Sequence, residues 1–146
     1  MSSTAHLDPY LARRTLIGLC IAPFAGAFAG SLVLVVVTLV SGANEGPSAG
    51  PLALLGMATV LGGIIGFAAA IILGLPAHLA LQRLRLCSLP VYAGLGLLIA
   101  AVTLLATAAA YGGVAIIDQA LSMSAAIVGV VSGVTFWLIR RPDRDY

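Results

Sequence analysis

The sequence has no lysine; its seven basic residues are Arg13, Arg14, Arg83, Arg85, Arg140, Arg141 and Arg144. Without lysine there is no phosphate-cradling glycine loop of the usual kind. A formal net charge of +2 is also too small for a nucleic-acid surface, so no nucleic-acid partner is expected. Acidic residues are equally scarce, and none of Asp, Glu, Lys or Arg interrupts the long apolar stretches. Proton- and sodium-coupled transporters generally keep a carboxylate at membrane depth, so that class is disfavoured. The cysteines, Cys20 and Cys87, have no CxxC or related spacing, and a metal site is not expected. HExxH, GxSxG and any recognisable nucleophile–base pair are missing too, which argues against an enzyme and against a resident cofactor.

What remains is apolar. Hydrophobic residues make up 61% of the 146 positions and charged residues 8%, and the mean hydropathy is +1.13. Soluble domains run near 45–50% apolar and about 25% charged, and a chain this small cannot enclose so much apolar surface. Lipid is the natural solvent. A membrane span needs about 20 apolar residues, and residues 15–41, 52–80, 89–111 and 119–139 satisfy that. The expected fold is all-α: one domain over residues 1–146, four transmembrane helices in a compact bundle of two helical hairpins, with tails at 1–14 and 140–146.

The connectors agree. Residues 41–51 form a Gly/Pro/Ser/Asn cluster, residues 82–88 are short and basic, and Gly112-Gly113 closes the third span before Asp118, a candidate N-cap. Arg13-Arg14 followed by an apolar run imitates a secretion signal, yet the run continues through residues 32–37 and is long enough to span, so an uncleaved first helix is expected. A lipoprotein cleavage before Cys20 is disfavoured by the bulk of Leu19.

All arginines fall in the N-terminal tail, the middle connector and the C-terminal tail, whereas the first and third connectors carry only Glu45 and Asp118. The positive-inside rule then places both termini in the cytoplasm, N-in and C-in, and the use of arginine without lysine, with abundant Ala, Leu, Gly and Val, suggests a high-GC bacterial source and hence an inner membrane. Arg13, Arg14, Arg83, Arg85, Arg140 and Arg141 are expected to set topology and to meet lipid headgroups. Both cysteines would lie toward the reducing side, where a structural disulfide is not expected. Tyr10, Tyr92, Tyr111 and Trp137 stand where interfacial aromatic residues belong. Pro76 should kink the overlong second helix, and Pro23 should bend the first. A faint repeat aligns residues 56–76 with 122–142, which would make the two hairpins parallel copies.

The clearest pattern is small residues at every fourth position: Gly18, Ala22, Gly26 and Gly30; Ala58, Gly62, Gly66, Ala70 and Gly74; Ala125, Gly129 and Gly133. Positions i and i+4 share a helix face, so each series forms a groove that lets another backbone approach closely. Packing within the bundle is one use of these grooves. An interface with a second copy or with another membrane protein is the other. His78 is the one histidine near the membrane, and interfacial hydrogen bonding suits it better than metal or haem ligation because no second histidine shares the bundle. Glu45 and Asp118 read as solvated loop charges or caps rather than a cation site. Two functions are compatible with these features. One is an accessory, regulatory, assembly or immunity-type protein that binds another membrane protein through Gly/Ala-rich faces. The alternative is a small oligomeric channel, in which Thr103, Thr107, Ser132 and Thr135 would line a wet path.

Overall fold

The computed structural model describes residues 9–40, 50–86, 88–111 and 119–141. These form α1 (Pro9–Val40), α2 (Pro51–Ala69), a π-helical turn (Ala70–Gly74), α3 (Leu75–Arg83), α4 (Leu89–Tyr111) and α5 (Gln119–Arg140), and no strand occurs among them. The α2–π–α3 segment is one rod, so the chain makes four spans, each long and apolar enough to cross a membrane. It is a multi-pass membrane protein.

α1 begins at Pro9, six residues before the apolar stretch that announced it. Proline suits the first helical turn because its missing N–H has no partner there anyway. Helical backbone therefore continues beyond the apolar segment and carries Arg13 and Arg14 with it. The disturbance expected from Pro76 takes the form of the π turn immediately before it. Leu75 N–H reaches back five residues to the carbonyl of Ala70. A proline in a helix has no N–H to give and its ring crowds the carbonyl four residues earlier; one wider turn relieves that crowding without ending the helix. Gly50 precedes α2 without a side-chain cap, and Pro51 opens the helix.

Packing follows the order α2, α1, α5, α4: α1 pairs with α2, α4 pairs with α5, and α1 and α5 join the two hairpins. α1 is the most enclosed helix, with 33% of its apolar window buried against 6% in each other span. Most of the remaining apolar surface faces outward, as lipid requires.

The small residues are what bring the helices this close. A Cβ built on Gly26 would collide with Ser132 Oγ and lie 2.5 Å from the carbonyl oxygen of Val128, and one on Gly30 would collide with Val128. On the other side of α5, a Cβ on Gly129 would sit 2.5 Å from the Gly96 carbonyl oxygen, and one on Gly133 would strike that of Tyr92. Real Cβ atoms do not approach so near, and the obstacles are largely backbone. Ser124 Oγ donates to the Gly30 carbonyl at 3.0 Å, pinning the α1–α5 seam. The faintly repeated glycines play matching parts: Gly63 meets Phe24 of α1, and Gly129 meets Gly96 of α4, each against the first arm of its own hairpin.

Overpacking a close seam costs about 1–3 kcal/mol, and more where backbone blocks relaxation. Gly129→Leu is therefore expected to lower the midpoint of a denaturing-detergent titration substantially. Gly56→Leu, where a Cβ meets only open space, should leave that midpoint unchanged, and equal midpoints for the two variants would contradict this description of the seam.

Candidate functional site

Between the two outer arms the bundle is incomplete. α4 packs against the π turn, but α2 itself has at most marginal contact with α4. The result is a cleft of about 340 Å³, walled by α2 and α4 and floored by α1 and α5. Both Tyr92 and Thr107 line it, and 15 residues of helix correspond to about 22 Å along the membrane normal. Its lining is apolar and small. None of the described residues that form it is Asp, Glu or Arg.

Three rings line one end of the cleft. His78 Nδ1 and the Tyr92 hydroxyl are 2.6 Å apart and hydrogen-bonded, joining α3 to α4. Phe136 of α5 stands edge-on to His78 with ring centroids 5.0 Å apart, and it stacks with Tyr92 at 6.0 Å and 20°. His78 is 3% exposed and Tyr92 2%. Burying an imidazole and a phenol in an apolar bundle carries a desolvation cost that mutual hydrogen bonding offsets. An intramembrane ionisable side chain is accordingly a functional candidate, and here its partner is Tyr92. Tyr92, expected at the interface with lipid, is instead turned into the protein.

The remaining candidates separate by position. Gly18, Ala22, Gly26 and Gly30 lie on the α1–α5 side: a Cβ on Gly18 would touch Phe136 at 3.0 Å, while Ala22 is buried. Gly129 and Gly133 face α4. Gly62 and Gly66 rest on Ala27 and Pro23 of α1, at 3.4 and 3.3 Å from their would-be Cβ atoms, and together with Ala70 and Gly74 they form the α2 wall of the cleft. Arg13, Arg83 and Arg85 are exposed, Arg14 and Arg141 are half-buried, and Arg140 is buried. Arg85 and Arg141 adopt left-handed backbone, with φ of 55° and 49°, where their helices end. Cys20 is exposed. Cys87, Glu45, Asp118, Arg144 and the first and third connectors lie outside the described residues. Among the described residues, no three His, Cys, Asp or Glu side chains come together as a metal site would require.

Sequence reasoning missed Gly96 and the Tyr92–His78 pair. The spacing of Tyr92, Gly96 and Ala100 on one α4 face was a usable signal, and so was the short 82–88 connector, which sets α3 beside the start of α4.

Compared with models of known families, with curated proteins and with solved structures, the chain matches none.

The His78–Tyr92 bond is expected to contribute about 1 kcal/mol to the bundle. Tyr92→Phe keeps the ring and should cost about that much in a detergent-unfolding titration, with helical content unchanged. A double-mutant cycle with His78→Ala should return a coupling of similar size; a coupling of zero would mean that the bond adds no stability.

Proposed function

We propose that the chain is a non-catalytic accessory protein of a bacterial inner membrane, that both termini are cytoplasmic, and that it acts by holding a second membrane component in the cleft between α2 and α4. The observation that carries this reading is the division of labour among the small-residue faces. Those of α1, α4 and α5 are spent on contacts inside the bundle, where a Cβ would strike a neighbouring helix. Gly62 and Gly66 of α2 meet α1 only at 3.4 and 3.3 Å from their would-be Cβ atoms, and with Ala70 and Gly74 they also border the cleft. A surface able to accept close contact and still vacant on one side is where a partner can add van der Waals contact without displacing a helix. Orientation follows from the arginines, all of which cluster toward one membrane side.

The apolar lining of the cleft supports binding over conduction. Thr103 Oγ1 donates to the Ile99 carbonyl and Thr107 Oγ1 to that of Thr103, both at 2.8 Å, so these hydroxyl protons are already used within their own helix. Ser31 and Thr59 bond back in the same way. A wet path would need such groups turned to water.

Photo-crosslinking in the native membrane tests the reading. A photoreactive residue at Thr103, in the cleft, should capture a discrete companion, either protein or lipid, that the same residue at lipid-facing Leu98 does not. Identical adducts at both positions would remove the cleft as the working surface.

A further inference from the structure

The cleft is half-open, and two of its properties bear on what enters it. The first is that its polar side chains are already engaged. Thr103 and Thr107 have given their hydroxyl protons to carbonyls of α4, and Ser124 has given its own to Gly30. His78 and Tyr92 are bonded to each other and carry further interactions within the protein. A guest that needed hydrogen bonds would be desolvated here at a cost, whereas a hydrocarbon chain loses nothing. Gly62, Gly66, Ala70, Gly96 and Ala100 make the surface between these groups smooth. The cleft is also open along the side where α2 and α4 stand apart. A chain already in the bilayer can therefore slide in sideways without crossing a polar layer.

The second property is the positive charge beyond one end. Gly18 of α1, His78 of α3 and Tyr92 of α4 all meet Phe136 of α5. A Cβ on Gly18 would lie 3.0 Å from that ring, and the His78 and Tyr92 centroids are 5.0 and 6.0 Å from its own. The four helices are therefore level at this point. Arg13 lies five residues before Gly18, Arg83 five after His78 and Arg141 five after Phe136, about 7.5 Å of helix in each case. Arg13 and Arg83 are exposed and Arg141 is half-buried. The Nε of Arg141 donates to the Leu138 carbonyl at 3.4 Å, and the two terminal nitrogens lie beyond that bond. Arg14, Arg85 and Arg140 each have an interaction inside the protein and are not needed. By sequence this end holds seven arginines against Asp8, Asp143 and Asp145, an excess of positive charge that suits a phosphate.

We propose that the cleft is a site for an anionic phospholipid: one acyl chain lies between α2 and α4, and the phosphate is met by Arg83, with Arg13 and Arg141 at the same end. The His78–Tyr92 bond ties α3 to α4 between the opening and the arginines, so the lipid straddles it, with one chain within and the head outside. One leaflet supplies about 15 Å of hydrocarbon, half of a core of about 30 Å. Tyr92 to Thr103 is about 16 Å of helix, so the chain ends beside Thr103. The second chain stays in the surrounding lipid. This rests on the cleft being the working surface and adds the identity of what it holds.

The test is native mass spectrometry of the full chain released from mild detergent, titrated with phosphatidylglycerol or with phosphatidylcholine of identical chains. The expected result is one phosphatidylglycerol retained per chain, held about tenfold more tightly than the choline lipid. Glycerol 3-phosphate, the head without a chain, should not compete. Arg83→Gln should weaken retention of phosphatidylglycerol about fivefold and leave that of phosphatidylcholine unchanged. Ile99→Trp and Ala69→Phe fill the cleft from its α4 and α2 walls. Each should reduce retention of phosphatidylglycerol to background while the unfolding midpoint stays at that of the parent. Equal retention of the two lipids would overturn the anionic assignment, and an Arg83→Gln chain that retains phosphatidylglycerol as the parent does would overturn the placement of the head. Undiminished retention by either cleft-filling variant, once folded, would put the lipid elsewhere and overturn the site. No retained lipid, alongside a discrete protein adduct at Thr103, would overturn the lipid assignment alone and leave the cleft to a helix of another membrane protein.

Discussion

Everything in this bundle depends on how closely two backbones can approach α5. In lipid, apolar side chains gain little by leaving the solvent for one another, so helices associate through van der Waals contact at short range and a few hydrogen bonds. α5 receives such contact on two sides. Gly26 and Gly30 bring α1 onto Val128, Ser132 and Ser124, while Gly96 meets Gly129 and Gly133 backbone to backbone. With α5 committed to α1 and α4, and α1 committed to α5 and α2, the two outer arms are left to find each other. Among the described residues they meet chiefly beside the π turn and through His78 and Tyr92. The cleft is thus a consequence of where the glycines are.

The π turn belongs to the same chain of causes. A regular helix through Pro76 would set its ring against the carbonyl of Ile72. One wider turn absorbs the conflict, and below it α3 carries His78 to Tyr92. Above it, α2 follows α1 instead, with Gly66 over Pro23 and Gly62 over Ala27. The joint between these regimes is where the outer arms part.

Much of this was legible in the sequence. The four spans, their hairpin pairing and the small-residue faces follow from apolar length and four-residue spacing, since both reflect local helix geometry. Pro76 marked the irregularity. What spacing could not convey was which face meets which helix. The glycines of α1 and α5 look alike as strings, but Gly26 and Gly30 serve the seam with α5, whereas Gly129 and Gly133 serve the seam with α4. Tyr92 shows why position alone misleads: an aromatic residue near a helix end satisfies the membrane interface equally well in the abstract, and only the hairpin formed by α3 and α4 turns it toward His78. The start of α1 was missed because hydropathy reports where lipid is and not where hydrogen-bonded backbone begins. The cleft itself is a property of helix arrangement, and no residue announces a gap.

Whether the outer arms stand apart in a bilayer can be measured directly. In lipid nanodiscs, with Cys20 and Cys87 replaced by serine, spin labels would be placed in pairs at exposed Ile72 and Leu98, near the π turn, and at exposed Val60 and Ala110, toward the other membrane side. Each helix advances 12 residues between the pairs, or about 18 Å, which keeps the comparison level. The expected result from pulsed electron resonance is a clearly longer separation for Val60–Ala110 than for Ile72–Leu98. Equal separations, or a shorter one for Val60–Ala110, would mean that α2 and α4 close upon each other and that no cleft exists in the membrane.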